Sequence, residues 1–95
     1  LDILDVPLAV CRLAPDAPVP PWAWAGALAS VTRTPAELSI VCAASAVPAG
    51  VVTAGPWYAL RIAGPLDLAE TGVVAALATA LAAAHVSVFP IATYD

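Results

Sequence analysis

The sequence has 95 residues, of which 62% are hydrophobic and 11% are charged, and its formal net charge is −4. Its three basic residues are all arginines, which leaves no basic stripe to neutralise a phosphate backbone or an anionic membrane surface; nucleic-acid and membrane partners are therefore not expected. The mean hydropathy of +0.94 excludes intrinsic disorder, and the length fits one domain or a piece of one.

The longest stretch without a charged side chain covers residues 71–94 and is long enough to cross a bilayer. Its first half is mainly Ala, which inserts only marginally, and its second half contains His85 and Pro90. The chain opens with LDILD, which lacks the positive region of a signal peptide. We therefore expect a cytoplasmic protein that does not span a membrane.

The two cysteines, Cys11 and Cys42, each sit in a short apolar run. They lack metal-ligand spacing, and the one histidine cannot complete a zinc site with them. The pattern predicts two reduced thiols in a core and neither a disulfide nor a metal site.

The first half of the chain reads as β-rich. Residues 7–13 are typical of a strand, and the prolines at 18, 20 and 21 predict an extended loop over residues 17–21. Residues 27–33 and 38–42 are two further β-rich runs separated by a connection of hairpin length that contains Pro35. These two runs are predicted to form an antiparallel pair.

The second half changes period. Residues 57–62 alternate as a strand does, and Gly64 and Pro65 end that alternation. A helix follows, because Asp67 and Glu70 have the spacing of a capping box, with Thr71 as the alternative cap. Its apolar face carries Val73, Val74, Leu77, Leu81 and Ala84, and its Ala-rich remainder is predicted to touch another subunit or another part of a longer chain.

Residues 86–93 read as a last strand, with Pro90 at an edge or bulge. Strand, helix and strand within residues 57–93 have the lengths of a parallel crossover unit. Four or five strands with one helix predict an α+β fold, in which the helix covers one face of the sheet.

The run GPLDLAETGVVAAL at residues 64–77, followed by LAAAHVSV at 81–88, resembles an ACT domain. The shared features are a small loop after the first strand, a Gly-aliphatic-aliphatic-small step that opens the helix, and an apolar alternation after the helix. SVTRTP at 30–35, ELS at 37–39, Trp57, LR at 60–61 and TYD at 93–95 are similar to a small bacterial subgroup, which in turn resembles the ACT modules of the CASTOR arginine sensors.

The resemblance covers nearly the whole chain. It implies an antiparallel, ferredoxin-like βαββαβ sandwich that pairs into a homodimer and binds small molecules, often amino acids. Members of the subgroup continue with a further strand and helix that this chain lacks. We expect a single ACT-like domain over residues 1–95, with a β-rich part at 1–56 and a β-α-β core at 57–95.

The start of the helix is the candidate ligand site. Its first N–H groups have no helical partners, so the amides of Thr71, Gly72 and Val73 suit a carboxylate, while Asp67 or Glu70 suits an ammonium group. Capping is the ordinary role of these two acids, and acid/base catalysis is the remaining alternative. The resemblance, rather than the spacing, implies ligand contacts for Glu70, Val73, Thr93 and Tyr94.

No motif predicts an enzyme or a cofactor. The serines lie outside a nucleophile elbow, the chain has no Gly-rich phosphate loop, and His85 reads as a helix C-terminal or surface group. The sequence therefore predicts a non-catalytic amino-acid-binding regulatory module. The alternative is a structural module that mediates assembly without a ligand.

Overall fold

The computed structural model describes residues 2–62 and 71–94. The chain divides into two compact units, Leu1–Arg61 and Ile62–Asp95, each of which is described by itself.

The first unit is a four-stranded antiparallel sheet in the order β2-β3-β1-β4. The strands are β1 (Asp2–Leu13), β2 (Ser30–Arg33), β3 (Leu38–Ala43) and β4 (Val52–Arg61), and two short 3-10 turns lie at Pro21–Trp24 and Ala44–Ala46. The second unit contains one described helix, α1 (Thr71–Ala83). The prediction of an α+β fold is confirmed.

The β2–β3 hairpin has the predicted partners. Arg33 pairs with Leu38, and the amide of Thr34 donates to the carbonyl of Glu37 at 2.9 Å. The hydroxyl oxygen of Thr34 accepts from the amides of Ala36 and Glu37, both at 3.2 Å. Because the Thr34 side chain stands in for a backbone acceptor, this turn is fixed locally by its own sequence.

One face of the sheet carries the hydrophobic core. The alternate residues of β3, Leu38, Ile40 and Cys42, are completely buried, and Cys11 of β1 is 1% exposed. Ala23, from the first 3-10 turn, packs into the same cluster with no exposed surface. This core is built from side chains of period two, which is why the apolar runs of β1 and β3 could be recognised as strands.

Both cysteines are free thiols, as predicted. Burial raises the pKa of Cys11 and of Cys42, so little thiolate is present at neutral pH.

The β1–β4 ladder is longer and less regular than the sequence predicts. β1 begins at Asp2 instead of residue 7, and β4 begins at Val52 instead of residue 57. Val10 pairs with Ala54 and Leu8 with Trp57, so β4 holds one extra residue at Gly55-Pro56. A second register shift falls between Leu4 and Leu8 on β1. These bulges place prolines inside strands, where an unbroken ladder would exclude them.

The predicted helix is confirmed as Thr71–Ala83, whereas the capping box of Asp67 and Glu70 lies outside the described residues. The helix ends in a Schellman motif, in which the amide of Val86 donates to the carbonyl of Leu81 at 2.9 Å and the amide of His85 to that of Ala82 at 3.0 Å. His85 takes the left-handed position of this motif, with φ of 59°.

The predicted strand at 86–93 is wrong. Residues 86–94 have no regular secondary structure, and the parallel crossover predicted with them is therefore not formed among the described residues. An alternating apolar pattern does not make a strand without a neighbouring strand to take its hydrogen bonds, and Pro90 has no N–H to offer one.

α1 has 13 residues, and the part of the chain that the structure describes contains no helix long and apolar enough to cross a membrane.

Candidate functional site

The predicted ligand residues fall into three groups. Asp67 and Glu70 lie outside the described residues. Thr71, Gly72 and Val73 form the first turn of α1, and Thr93 and Tyr94 are exposed residues of the irregular stretch that follows the helix. That the first turn of α1 and these two residues share one ligand site remains a prediction.

The first turn of α1 is open to a ligand at Gly72. Apart from its chain neighbours and the backbone of its own helix, no atom of the described residues lies within 4 Å of a Cβ built at this glycine, so these residues leave its backbone accessible. The first N–H groups of a 13-residue helix lack intrahelical partners and carry the positive end of the helix dipole. This geometry suits a carboxylate or another small anion.

The residues that follow α1 present apolar side chains to solvent. Val86, Val88, Phe89 and Ile91 are between 38% and 48% exposed, and Tyr94 is 95% exposed. We call residues 86–94 the C-terminal segment. Its exposure fits a surface that another molecule or another piece of chain covers.

The first unit contains a groove that the sequence analysis missed. Its volume is about 420 Å³, and it lies between β1, β4 and the turn at residues 47–51. Among the described residues, its lining consists of apolar side chains and backbone, with Thr53 as the one hydroxyl and no ionisable side chain. The two turn signals that bound it, Pro48–Gly50 and Gly55–Pro56, are visible in the sequence, but they give no indication of a concave surface.

All three arginines have partners in the first unit. Arg61 forms an ion pair with Asp2 at 2.6 Å, and Arg12 lies 3.7 Å from Glu37. The guanidinium of Arg33 donates to the carbonyl oxygens of Pro15 and Ala17. The side chain of Arg33 therefore ties the loop after β1 to the edge strand β2.

The Asp2–Arg61 pair lies at one end of the β1–β4 ladder, where the two residues are cross-strand partners. The hydrogen bond from Arg61, together with its charge, lowers the pKa of Asp2 below its ordinary value of 3.8. Both side chains are more than half exposed, so solvent screens this pair.

The antiparallel sheet of the first unit and the helix of the second define a small α+β protein. The model of the ACT domain family matches residues 52–95, which span β4, α1 and the C-terminal segment. A second family model, which describes an N-terminal domain, matches residues 7–50.

A solved structure supports the same assignment. The X-ray structure of protein Atu0741 from Agobacterium tumefaciens is 33% identical to this chain, with a TM-score of 0.88; the match covers 98% of this chain and 69% of that one. No curated protein matches the chain. The chain belongs to the ACT domain family, and the predicted ACT-like, ferredoxin-related fold is confirmed.

ACT domains are generally regulatory modules that bind small molecules and form oligomers. The family match therefore supports a regulatory role, and it covers the part of the chain that holds α1 and the predicted ligand residues.

Proposed function

We propose that this chain is a non-catalytic regulatory module that binds an amino acid, or a similar small molecule, at the start of α1. The observation that carries this proposal is the ACT match over residues 52–95, because this stretch contains α1 and members of the family generally bind small molecules. The exposed Gly72 gives the ligand a way to reach the backbone.

The chemistry of an amino acid fits both charges of this site. Its carboxylate would accept hydrogen bonds from the amides of Thr71, Gly72 and Val73, and its ammonium group would meet the carboxylate of Asp67 or Glu70. Thr93 and Tyr94 complete the proposed set of contacts. Since all three arginines have protein partners in the first unit, backbone amides are the donors that this proposal assigns to the ligand carboxylate.

In the same proposal the protein works as a cytoplasmic homodimer. It uses no metal or cofactor, and it has neither a nucleic-acid nor a membrane partner, in keeping with its negative charge. A single ACT-like domain over residues 1–95 remains our proposal for the domain organisation.

The alternative is a structural module that mediates homo- or hetero-oligomer assembly without a ligand. It is favoured by the exposed apolar C-terminal segment and by the exposed alanines of α1, which offer a surface for close packing. The two functions differ in whether a small molecule changes the stability of the protein.

A thermal-shift screen with each of the twenty common amino acids tests the first function. Binding to the folded state stabilises it by about 2.7 kcal/mol when the ligand is at a hundredfold excess over its Kd. We expect a rise in melting temperature with one amino acid or one chemical group of them. The absence of a shift with every amino acid at millimolar concentration would contradict the proposal.

The variant Glu70→Gln then locates the site. It removes the charge and keeps a similar shape, so we expect the ligand-induced shift to be lost while the dimer, measured by analytical ultracentrifugation, persists. Glu37→Gln is the matched control, since Glu37 is a surface acid of the β2–β3 turn in the other unit. An equal ligand response in wild type and in Glu70→Gln would remove Glu70 from the site.

A further inference from the structure

The loop that leads into the first 3-10 turn contains three prolines that play no part in the proposed function. The sequence here reads APVPPWAW over residues 17–24. Pro20 is extended, with φ and ψ of −70° and 151°, and the chain then enters the turn Pro21–Trp24. These angles are those of a polyproline II helix, and the other prolines and the residues before them favour the same conformation.

Both conformations have three residues per turn, so side chains along this loop repeat their direction every third residue. The burial follows that period. Ala17 packs against the core, Pro20 is half-buried and Ala23 is completely buried. These three residues therefore form the inner row of the loop.

The next row faces solvent. Pro18 and Pro21 are exposed, and Trp24 is 60% exposed. We call these three residues the outer row. It exposes two pyrrolidine rings and one indole ring at a spacing of three residues. The exposure of Trp24 is unusual, because most of the large apolar surface of a tryptophan is ordinarily buried.

The loop is held in place by hydrogen bonds that leave the outer row free. The Arg33 guanidinium donates to the carbonyl of Ala17 at 2.7 Å and also to that of Pro15. The amide of Ala23 donates to Pro20 at 3.0 Å, and the amide of Ala43 donates to Ala25 at 3.1 Å. A partner that binds this loop would therefore have little chain entropy to remove.

We propose that the outer row docks into an aromatic-lined, polyproline-binding groove of a second protein. Residues 18–21 read P-V-P-P, which contains prolines at the first and fourth positions of a PxxP motif. Grooves of this kind take proline rings between aromatic side chains and donate hydrogen bonds to backbone carbonyls, which a proline-rich segment supplies without competing N–H groups. Asp16 is exposed beside the row, so the rim of the groove carries neutral or basic side chains.

The test is a titration of the ¹⁵N-labelled full chain with purified SH3, WW and EVH1 domains, which represent the known groove types. The reporters are the amides of Asp16, Ala17, Val19 and Ala25 and the indole N–H of Trp24. We expect saturable shift changes at these groups with at least one domain, and displacement by a polyproline peptide. No amino acid ligand takes part, so this outcome and that of the regulatory proposal are independent.

Two variants and a control locate the contact. Pro21→Ala and Trp24→Ser are each expected to weaken binding at least tenfold, and Val52→Thr, on an exposed valine of β4, is expected to leave it unchanged. Thermal melts of all three report whether the fold is intact, and Pro18→Ala is a second proline variant if Pro21→Ala lowers the melting temperature.

Three results would overturn the proposal. The first is no saturable binding by any of the domains. The second is binding whose shift changes lie away from residues 16–25 or persist in Trp24→Ser. The third is a concentration-dependent shift of the Trp24 indole in the absence of any domain, which would assign the outer row to a contact between two copies of this chain.

Discussion

The two units of this protein differ in how much of their sequence is packed. In the first unit, β3 and the facing residues of β1 are buried almost completely and a 3-10 turn covers them. In the second unit, the described side chains of α1 are half-buried at best, and the C-terminal segment is exposed throughout. The well-packed sheet of the first unit and the proposed ligand-binding part are therefore separate stretches of the chain. Ligand-binding elements are generally found in the less stable regions of a protein.

The largest expected effect is a cavity in the scaffold. Ile40→Ala removes a completely buried side chain from β3 and should cost about 3 kcal/mol of unfolding free energy. Leu81→Ala, at a half-buried position of α1, should cost about 1 kcal/mol because it loses less buried area. Urea unfolding measured by circular dichroism gives both values. Equal losses of unfolding free energy in the two variants would contradict the difference in packing between the two units.

Two glycines of the first unit give a second test of how tightly this unit is packed. Gly26 has φ of +100°, and a Cβ there would lie 3.0 Å from the Cβ of Ala43, so Gly26→Ala combines backbone strain with a clash and should cost about 2 kcal/mol. Gly50 has φ of +88° but open space around it, so Gly50→Ala should cost about 1 kcal/mol from the backbone alone.

The comparison of Gly26→Ala with Gly50→Ala by thermal or urea unfolding isolates the packing contribution. Identical losses would show that the loop at Gly26 moves away from β3 at no cost.

A stabilising change is expected in the second unit. His85 occupies a left-handed position at the end of α1 that glycine adopts without a Cβ penalty. His85→Gly should therefore strengthen the helix end by about 0.5 kcal/mol, which amide exchange at Ala84, His85 and Val86 would show as slower exchange. His85→Ala keeps the Cβ and should give no such gain. Faster exchange in His85→Gly would mean that the imidazole itself stabilises this end.

The smallest expected effect is the pH dependence of the Asp2–Arg61 pair. Because the pKa of Asp2 is lowered in the folded state, its contribution to stability is present above 3.8 and is lost as the pH falls through the lower, folded value. A carbon-detected NMR titration of Asp2 should give a pKa below 3.8 in the wild type and a value returned towards 3.8 in Arg61→Gln. Unchanged titration in that variant would show that the pair is not formed in solution.

Local patterns predicted the parts of the fold that are stabilised locally. The β2–β3 hairpin follows from two β-rich runs and a turn that Thr34 closes with its own side chain. α1 follows from helical periodicity in an alanine-rich stretch. In both cases the residues that determine the element lie within it.

The elements that depend on distant partners were misjudged. The start of β4 was missed because Gly55 and Pro56 look like a break, whereas pairing with β1 accommodates them in a bulge. The strand predicted at 86–93 is absent because alternation specifies which face a strand would bury and not whether a neighbour exists. The ligand contacts of Asp67 and Glu70 remain predictions. The outer row could be recognised only from the burial of residues 17–24, because its three-residue period does not follow from the sequence.

The extra residue at Gly55-Pro56 changes the phase of β4. Residues four apart lie on one face of an unbroken strand, yet Thr53 pairs with Cys11 and Trp57 with Leu8, which point to opposite faces. Loss of the extra residue at this bulge would leave a regular ladder in which Trp57 still pairs with Leu8, so every later side chain of β4 would keep its face. Relatives are therefore expected to differ in length by one residue at Gly55-Pro56 without a change in which side chains of β4 face the core.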